Sequence, residues 1–486
     1  MVLDVCIPMV LYSDVGVLTY RGSRRISTAE RTDTVLLDDV PLSSFHLRVT
    51  AYTTGGMFCD GYILGMVGIA LAVWAPQIGL SSLEEGLIGA SALVGIFLGA
   101  LVFGPITDRV GRQTMYLADL ALFIVGSVLQ LFVGDPWQLA VLRLIMGVAI
   151  GADYAIGAAL LSEFLPRRQR GPLLASLNAV WTVGFVVAFV VGYLMRGLGD
   201  DSWRWMLASS AIPAIIVLCL RLGTPESPRW LASRGRDEEA REVLVKFFGA
   251  NVVLGDEPPA PQRAGLAELF SPRWRMRTAF ASLFWFCQVL PFFALFTFAP
   301  SVLKALGLTD EFTGGLTLNL FQLAGAAFGV WVMNRLARRG FAIWSFVVLG
   351  VSLLPLALSP HPSAALVIGA FAVFAFTVSA AGNLETVYPA ELFPTDLRAT
   401  GVGFAASMSR IGAAVGTFLL PVSLDHLGTQ ATMGIGVAVL FFGAVVSLLW
   451  APETRHLTLT TASAGDEGSP GAVSGGVTGQ TAQMSR

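Results

Sequence analysis

Apolar runs of about twenty residues, the length that crosses some 30 Å of hydrocarbon, recur twelve times along the chain. They fall at 51–75, 86–107, 114–133, 139–161, 173–195, 205–220, 278–303, 314–333, 341–358, 364–388, 399–420 and 431–450. Short polar turns separate them, except between the sixth and seventh, where a charged interval occupies 223–277. Within that interval, 237–248 (DEEAREVLVKFF) predicts an amphipathic helix, its acids at the start and Lys246 near the end suiting the helix dipole. The pattern predicts an all-α membrane protein of twelve transmembrane helices. Two halves, 47–222 and 278–451, flank the linker 223–277. Residues 1–46 hold no signal-peptide pattern and are expected to be disordered. So is the tail 452–486, rich in Gly, Ser and Thr after Ala462.

The halves repeat each other. Glu163-Phe-Leu-Pro166-Arg-Arg-Gln-Arg170 follows the fourth run and Glu391-Leu-Phe-Pro394-Thr-Asp-Leu-Arg398 follows the tenth, so E-x-x-P-x-x-x-R recurs at one constant separation. A duplicated six-helix unit is the plan of a rocking carrier with its site between the halves. With both termini on the cytoplasmic side, the inner loops hold Arg109, Arg112, Arg167, Arg168, Arg170, Arg335, Arg338, Arg339 and Arg398. The outer loops hold Arg196, Arg204 and Lys304. The positive-inside tendency selects that orientation and a multi-pass place in the cell membrane.

Composition narrows the function. Of 486 residues, 55% are hydrophobic and 13% charged, half the charge of a soluble domain. A net charge of −2 offers no field for nucleic acid. Cys6, Cys59, Cys219 and Cys287 are scattered, as are His46, His361, His426 and His456, so no metal-ligand spacing is present and no metal or cofactor is expected. Nor does any nucleophile with a base, or any phosphate-cradling glycine loop, suggest an enzyme.

The informative residues are the charges inside the apolar runs. Asp60 sits in the first, and a charge there costs roughly 2.5–3.5 kcal/mol on insertion scales. In the fourth, Arg143, Gly147 and Gly151 recur every four residues, a stripe against which another helix can pack closely. Asp153 lies ten residues beyond Arg143, about 15 Å along the axis and turned away from it, so each needs a partner elsewhere. Asp119 in the third run either senses the inner gate or pairs with Arg143. Arg410, central in the eleventh, offers a bidentate match to a carboxylate or phosphate; the alternative is a structural pairing with Glu385 in the tenth. Trp181, Trp285, Phe292 and Phe293 could line the site as stacking walls, though each alone reads first as packing or lipid-facing.

These motifs resemble the major facilitator superfamily over nearly the whole chain. Gly104-Pro-Ile-Thr-Asp108-Arg109-Val-Gly111-Arg112-Gln113 is similar to its inner-loop signature G-x-x-x-D-R-x-G-R-R. That resemblance implies that Asp108 meets the other half and that Arg109 and Arg112 hold the inward-closed gate. The second-half counterpart, Asn334-Arg335-Leu-Ala-Arg338-Arg339, lacks the acid, which puts its gating pair in question. Pro225-Glu226-Ser227-Pro228-Arg229-Trp230 and Pro452-Glu453-Thr454-Arg455 resemble the flanking signatures of the sugar-porter-like branch. By the same resemblance Glu163, Arg170, Glu391 and Arg398 form charge relays that latch the inward side.

Departures from a sugar porter are also visible. Tyr62 is followed by Ile63 rather than aspartate, and Gln288 lacks the asparagine and paired tyrosines that bind hydroxyls in sugar porters. The D-G-Y context of Asp60 and the G-x-D-Y context of Asp153 resemble metabolite:proton symporters, in which a binding-site arginine is often found at the position of Arg410. The expected reading is a proton-coupled symporter of a small organic anion, a monocarboxylate or aromatic acid, working as a monomer. Asp60, Asp153 and Arg143 would serve coupling; Arg410, Gln288, Glu385, Asn383 and Trp181 would bind solute. Alternatives are a sugar or polyol symporter, an exporter of a hydrophobic product, and a non-transporting membrane sensor.

Overall fold

The computed structural model describes residues 34–255, 266–308, 310–333 and 335–454. Twelve helices in it are long and apolar enough to cross a bilayer. They are α1 (Ser44–Ile78), α2 (Ser82–Val110), α3 (Arg112–Leu129), α4 (Pro136–Phe164), α5 (Arg167–Met195) and α6 (Ser202–Arg221), then α7 (Arg275–Thr297), α8 (Glu311–Met333), α9 (Arg338–Leu358), α10 (Ala364–Leu392), α11 (Thr395–His426) and α12 (Gly428–Trp450). Helix α6 is broken at Ser209 and Ser210, whose hydroxyls turn back to the carbonyls of Met206 and Leu207.

Packing repeats as the motifs do. α1 packs on α5, α2 on α4 and α3 on α6; α7 packs on α11, α8 on α10 and α9 on α12, the same partners six helices on. The predicted glycine stripe is a packing face against α2: a Cβ on Gly147 would stand 2.1 Å from the Ala92 carbonyl oxygen, and one on Gly151 2.3 Å from that of Ile96. The halves meet through α2 with α11, α5 with α8 and α1 with α7. At the end away from the linker, Ser82 Oγ donates to Asp425 at 3.0 Å and Arg196 pairs with Asp310 at 3.9 Å.

At the linker end two acids act as helix caps. Glu226 accepts the backbone N–H groups of Arg112 (3.1 Å) and Gln113 (3.0 Å), the first residues of α3. Glu453 does the same for Arg338 (3.0 Å) and Arg339 (3.1 Å) at the start of α9. A carboxylate there satisfies donors that have no partner within their helix and meets the positive end of the dipole. Gly111 makes the first cap possible: its φ is +115°, and a Cβ would lie 2.5 Å from Glu226 Oε2.

Two expectations are corrected at this end. The predicted linker helix forms as Asp237–Phe247, but residues 35–46 are not disordered. Val35–Leu36 pairs in parallel with Val252–Val253 of the linker, and Leu37 and Val40 are buried with Leu244 and Val252. These apolar side chains, short of a membrane span, complete a small core that the linker helix cannot close alone. Residues 1–33 and 455–486 lie outside the described residues, while Glu453, expected in a disordered tail, is an ordered cap.

Asp38 fastens the segment by accepting from Arg229 Nη2 at 2.9 Å and from Arg170 Nη2. Burial pushes its carboxyl up, but the two guanidiniums outweigh burial and hold it below its usual range. Because the folded value is depressed, this contribution is complete above about pH 4 and is lost as pH falls through the lowered value. Asp38→Asn is therefore expected to speed hydrogen exchange at the Val35 amide, which donates to Asn251 O at 2.9 Å, at neutral pH. Protection in the membrane helices should not change. Unaltered exchange at Val35 would show that the strand docks without the charge.

Candidate functional site

The first charged cluster lies inside the N-terminal half. Asp60 on α1 and Asp153 on α4 are fully buried, and neither carboxyl has a donor in hydrogen-bonding geometry among the described residues. Each is the other's near neighbour, close enough for one shared proton to bridge them. Asp119 on α3 is within the same electrostatic reach and so belongs to the pair, not to Arg143. The helices approach closely because Gly56 has no side chain: a Cβ there would stand 2.1 Å from the Tyr116 hydroxyl and 2.9 Å from Asp153 Oδ2.

Arg143 is not part of this cluster. It is 1% exposed, its Nε and Nη2 have no hydrogen-bond partner, and no charged group faces it among the described residues. The expectation that it biases Asp60 or Asp153 is corrected: ten residues of helix carry it away from Asp153, and α1 presents no acid opposite it. The cation facing Asp153 and Asp119 is Arg221 at the end of α6, which the sequence reading passed over. Its position beside the loop made it look like an ordinary end-of-span arginine.

The second cluster bridges the halves. Arg410 on α11 lies 5.2 Å from the ring centroid of Tyr154 on α4 and is within electrostatic reach of both Asp60 and Glu385. Among the described residues no ion pair joins Arg410 to Glu385; the Glu385 carboxylate instead accepts from Trp285 Nε1 at 2.6 Å. Trp181 stands beside the Tyr154 hydroxyl, with Nε1 buried and lacking a well-placed acceptor, and it stacks on Phe185 and meets Phe293 of the other half edge-on. Gln288 is 1% exposed, and among the described residues both its amide atoms lack partners. On α8, Asn319 Oδ1 and Gln322 Oε1 are also buried and unpartnered, and the sequence reading did not single them out. Buried polar atoms left unpaired cost about 1–3 kcal/mol each, so several together mark a place that water or a ligand completes. Asn383 is a correction: its Nδ2 donates to the carbonyls of Ala326 (3.4 Å) and Ala380 (3.3 Å), holding α8 against α10.

At the linker end, Arg112 Nε and Nη2 each meet Glu163 Oε1 at 3.2 Å. Arg338 mirrors this with Glu391 at 3.5 Å, so the second half keeps an ion pair despite its incomplete loop motif. Ser227 stands beside Glu163 as Thr454 donates to Glu391, at 2.5 Å. Arg170 reaches back to Asp38 rather than along a relay, Arg398 has a buried Nε without a partner, and Arg109 is exposed. The Asp108 side chain lies outside the described residues.

Two six-helix halves in pseudo-repeat, matching caps and ion pairs at the linker end, and unpaired polar groups where the halves meet together describe a solute carrier. The family model "Sugar (and other) transporter" matches residues 41–464. The chain belongs to that family. It is 44% identical over 431 residues to the inner membrane metabolite transport protein YgcS of Escherichia coli, covering 89% of this chain and 97% of that protein. It is 26% identical to the niacin transporter NiaP of Acinetobacter baylyi, over 87% of this chain and 98% of that one. The partially occluded inward-open xylose transporter XylE of E. coli superposes with a TM-score of 0.71 at 22% identity, covering 86% of this chain and all of that one, and shows the same fold. The protein is thus a major facilitator superfamily transporter of the sugar-porter-like branch, with twelve membrane helices.

Proposed function

We propose that the protein imports a small organic anion, a monocarboxylate or aromatic acid, together with a proton by alternating access. Its linker and both ends would lie in the cytoplasm, as the arginine-rich loops favour. The observation that carries the reading is Arg410, a cation from one half placed against Tyr154 and within reach of Asp60 from the other. A planar guanidinium held against the Tyr154 ring suits a planar carboxylate. Arrival of the anion would satisfy Arg410 and leave Asp60 free to take a proton, so each event favours the other. The resemblance to the niacin transporter supports an aromatic acid. The fold shared with a xylose transporter and the unpaired Gln288, Asn319 and Gln322 favour a polyhydroxylated solute as the second reading.

Uptake of labelled nicotinate, benzoate, lactate and xylose into proteoliposomes, with the outside acidic, separates the two. Saturable uptake of a carboxylate that collapses with a protonophore is the expected result. Saturable xylose uptake that ignores all three acids would discard the anion.

A further inference from the structure

Arg221, in the N-terminal half, is accounted for by neither the family match nor the solute site. It is fully buried, and among the described residues its Nη1 and Nη2 have no hydrogen-bond partner. Its guanidinium lies 3.3 Å from the ring centroid of Tyr116 and 4.9 Å from that of Tyr52. Nε donates to Gln113 Oε1 at 3.1 Å, and the backbone N–H of Gln113 donates to Glu226 at the linker end.

The polar groups form a string. Asp60 neighbours Asp153, and Asp153 neighbours both Asp119 and the Tyr116 hydroxyl. Tyr116 donates to the Thr53 carbonyl at 3.2 Å and carries Arg221 on its ring. Among the described residues, the charged and titratable groups that face Arg221 are Tyr52 from α1, Tyr116 and Asp119 from α3 and Asp153 from α4. Arg48 lies beyond, its guanidinium on the carbonyls of Leu220 and Leu222. The string starts at Asp60, within reach of Arg410, and runs from the middle of α1 to the start of α3 within one half.

We propose that these groups form a proton-release route inside the N-terminal half, with Arg221 as its positioning residue. Resting on the proton-coupled reading above, the step is a transfer from the Asp60 carboxyl to the Asp153 carboxylate, then by Asp119 or the Tyr116 hydroxyl to water at the linker end. A carboxylate takes the proton and then passes that same proton on, a hydroxyl gives up its own proton as it takes the incoming one, and no other reactant is needed. Arg221 supplies the positive charge that keeps a carboxylate waiting to receive. Proton and solute then leave by different paths, and the proton can depart after the solute without crossing its site.

The test is the pH profile of uptake by the full chain in proteoliposomes. Without the cation, neighbouring carboxyls hold their protons to higher pH, so Arg221→Gln should move the profile alkaline by roughly one unit. Arg221→Lys, which keeps the charge, should return most of that shift, whereas a merely structural guanidinium would not be rescued in the profile. Asp119→Asn removes a negative neighbour of Asp153 and should move the profile the opposite way. It also serves if Arg221→Gln fails to reach the membrane. Wild-type profiles in the variants, with the unaltered protein pH-dependent, would overturn the route alone. An unaltered protein indifferent to pH would overturn the coupled reading first.

Discussion

Asp60→Asn is expected to abolish uphill accumulation while one labelled solute still exchanges for another across the membrane. Asparagine keeps the shape of the side chain and removes both the charge and the proton. The insertion cost of a charge, roughly 2.5–3.5 kcal/mol, gives way to the smaller cost of a buried amide, so the variant should reach the membrane in undiminished amount. A carrier moving one anion with one proton is electroneutral and draws only on the pH gradient. One pH unit then sustains about a tenfold concentration ratio. In the variant that ratio should fall to one, because loaded carrier can still reorient but no proton is obliged to travel with it.

Asp153→Asn, measured beside it, divides the labour. If Asp153 receives the proton from Asp60, its loss should slow net uptake more than exchange, since only net uptake requires release. Accumulation at the full ratio in the Asp60→Asn protein would remove that residue as the coupling group and leave the buried pair as a lock between α1 and α4.

The twelve helices were readable because bilayer thickness sets a single length scale, and apolar runs of that length leave little else for the chain to do. The repeat was readable in Glu163 and Glu391 because a duplicated unit keeps its spacing. Neighbourhood across helices was not. A helix that is apolar all round gives no clue to which face meets which partner, so the grouping of Asp119 with Asp153 and the isolation of Arg143 had to come from the packed structure. Arg221 was hidden for a related reason: at the end of a span, a snorkelling arginine and one folded inward over two tyrosines have the same sequence.

The caps illustrate the opposite case. Glu226 and Glu453 stand in recognisable motifs, yet their role depends on helices that begin about 115 residues earlier in the chain, as the bonds to Arg112 and Arg338 show. Asn383 was misread because an amide inside an apolar run looks the same whether it faces a solute or a neighbouring carbonyl. Residues 35–46 were misread because disorder was inferred from composition, whereas Leu37 and Val40 find their apolar partners only in a linker some two hundred residues away.

Arg410→Lys carries the second large effect. Lysine keeps the charge but loses the fork that meets both oxygens of a carboxylate. Losing one hydrogen bond of a charged pair costs about 1.5–3 kcal/mol, so the half-saturating anion concentration should rise roughly ten- to a hundredfold. The maximal rate should change less, because a retained cation can still trigger the same rearrangement. Glu385→Gln is the control that separates binding from scaffolding. If Arg410 exists to neutralise Glu385, Arg410→Lys keeps that charge and should be the milder change, whereas Glu385→Gln strands the guanidinium and should be the more damaging for every solute. If Arg410 holds the solute, Glu385→Gln should be the milder change, because the Trp285 N–H can still donate to an amide oxygen at the position it now occupies. It should even favour anions by withdrawing a negative neighbour. A Glu385→Gln protein more impaired than Arg410→Lys, with no preference among carboxylates, would return Arg410 to the framework and take the anion out of the cavity.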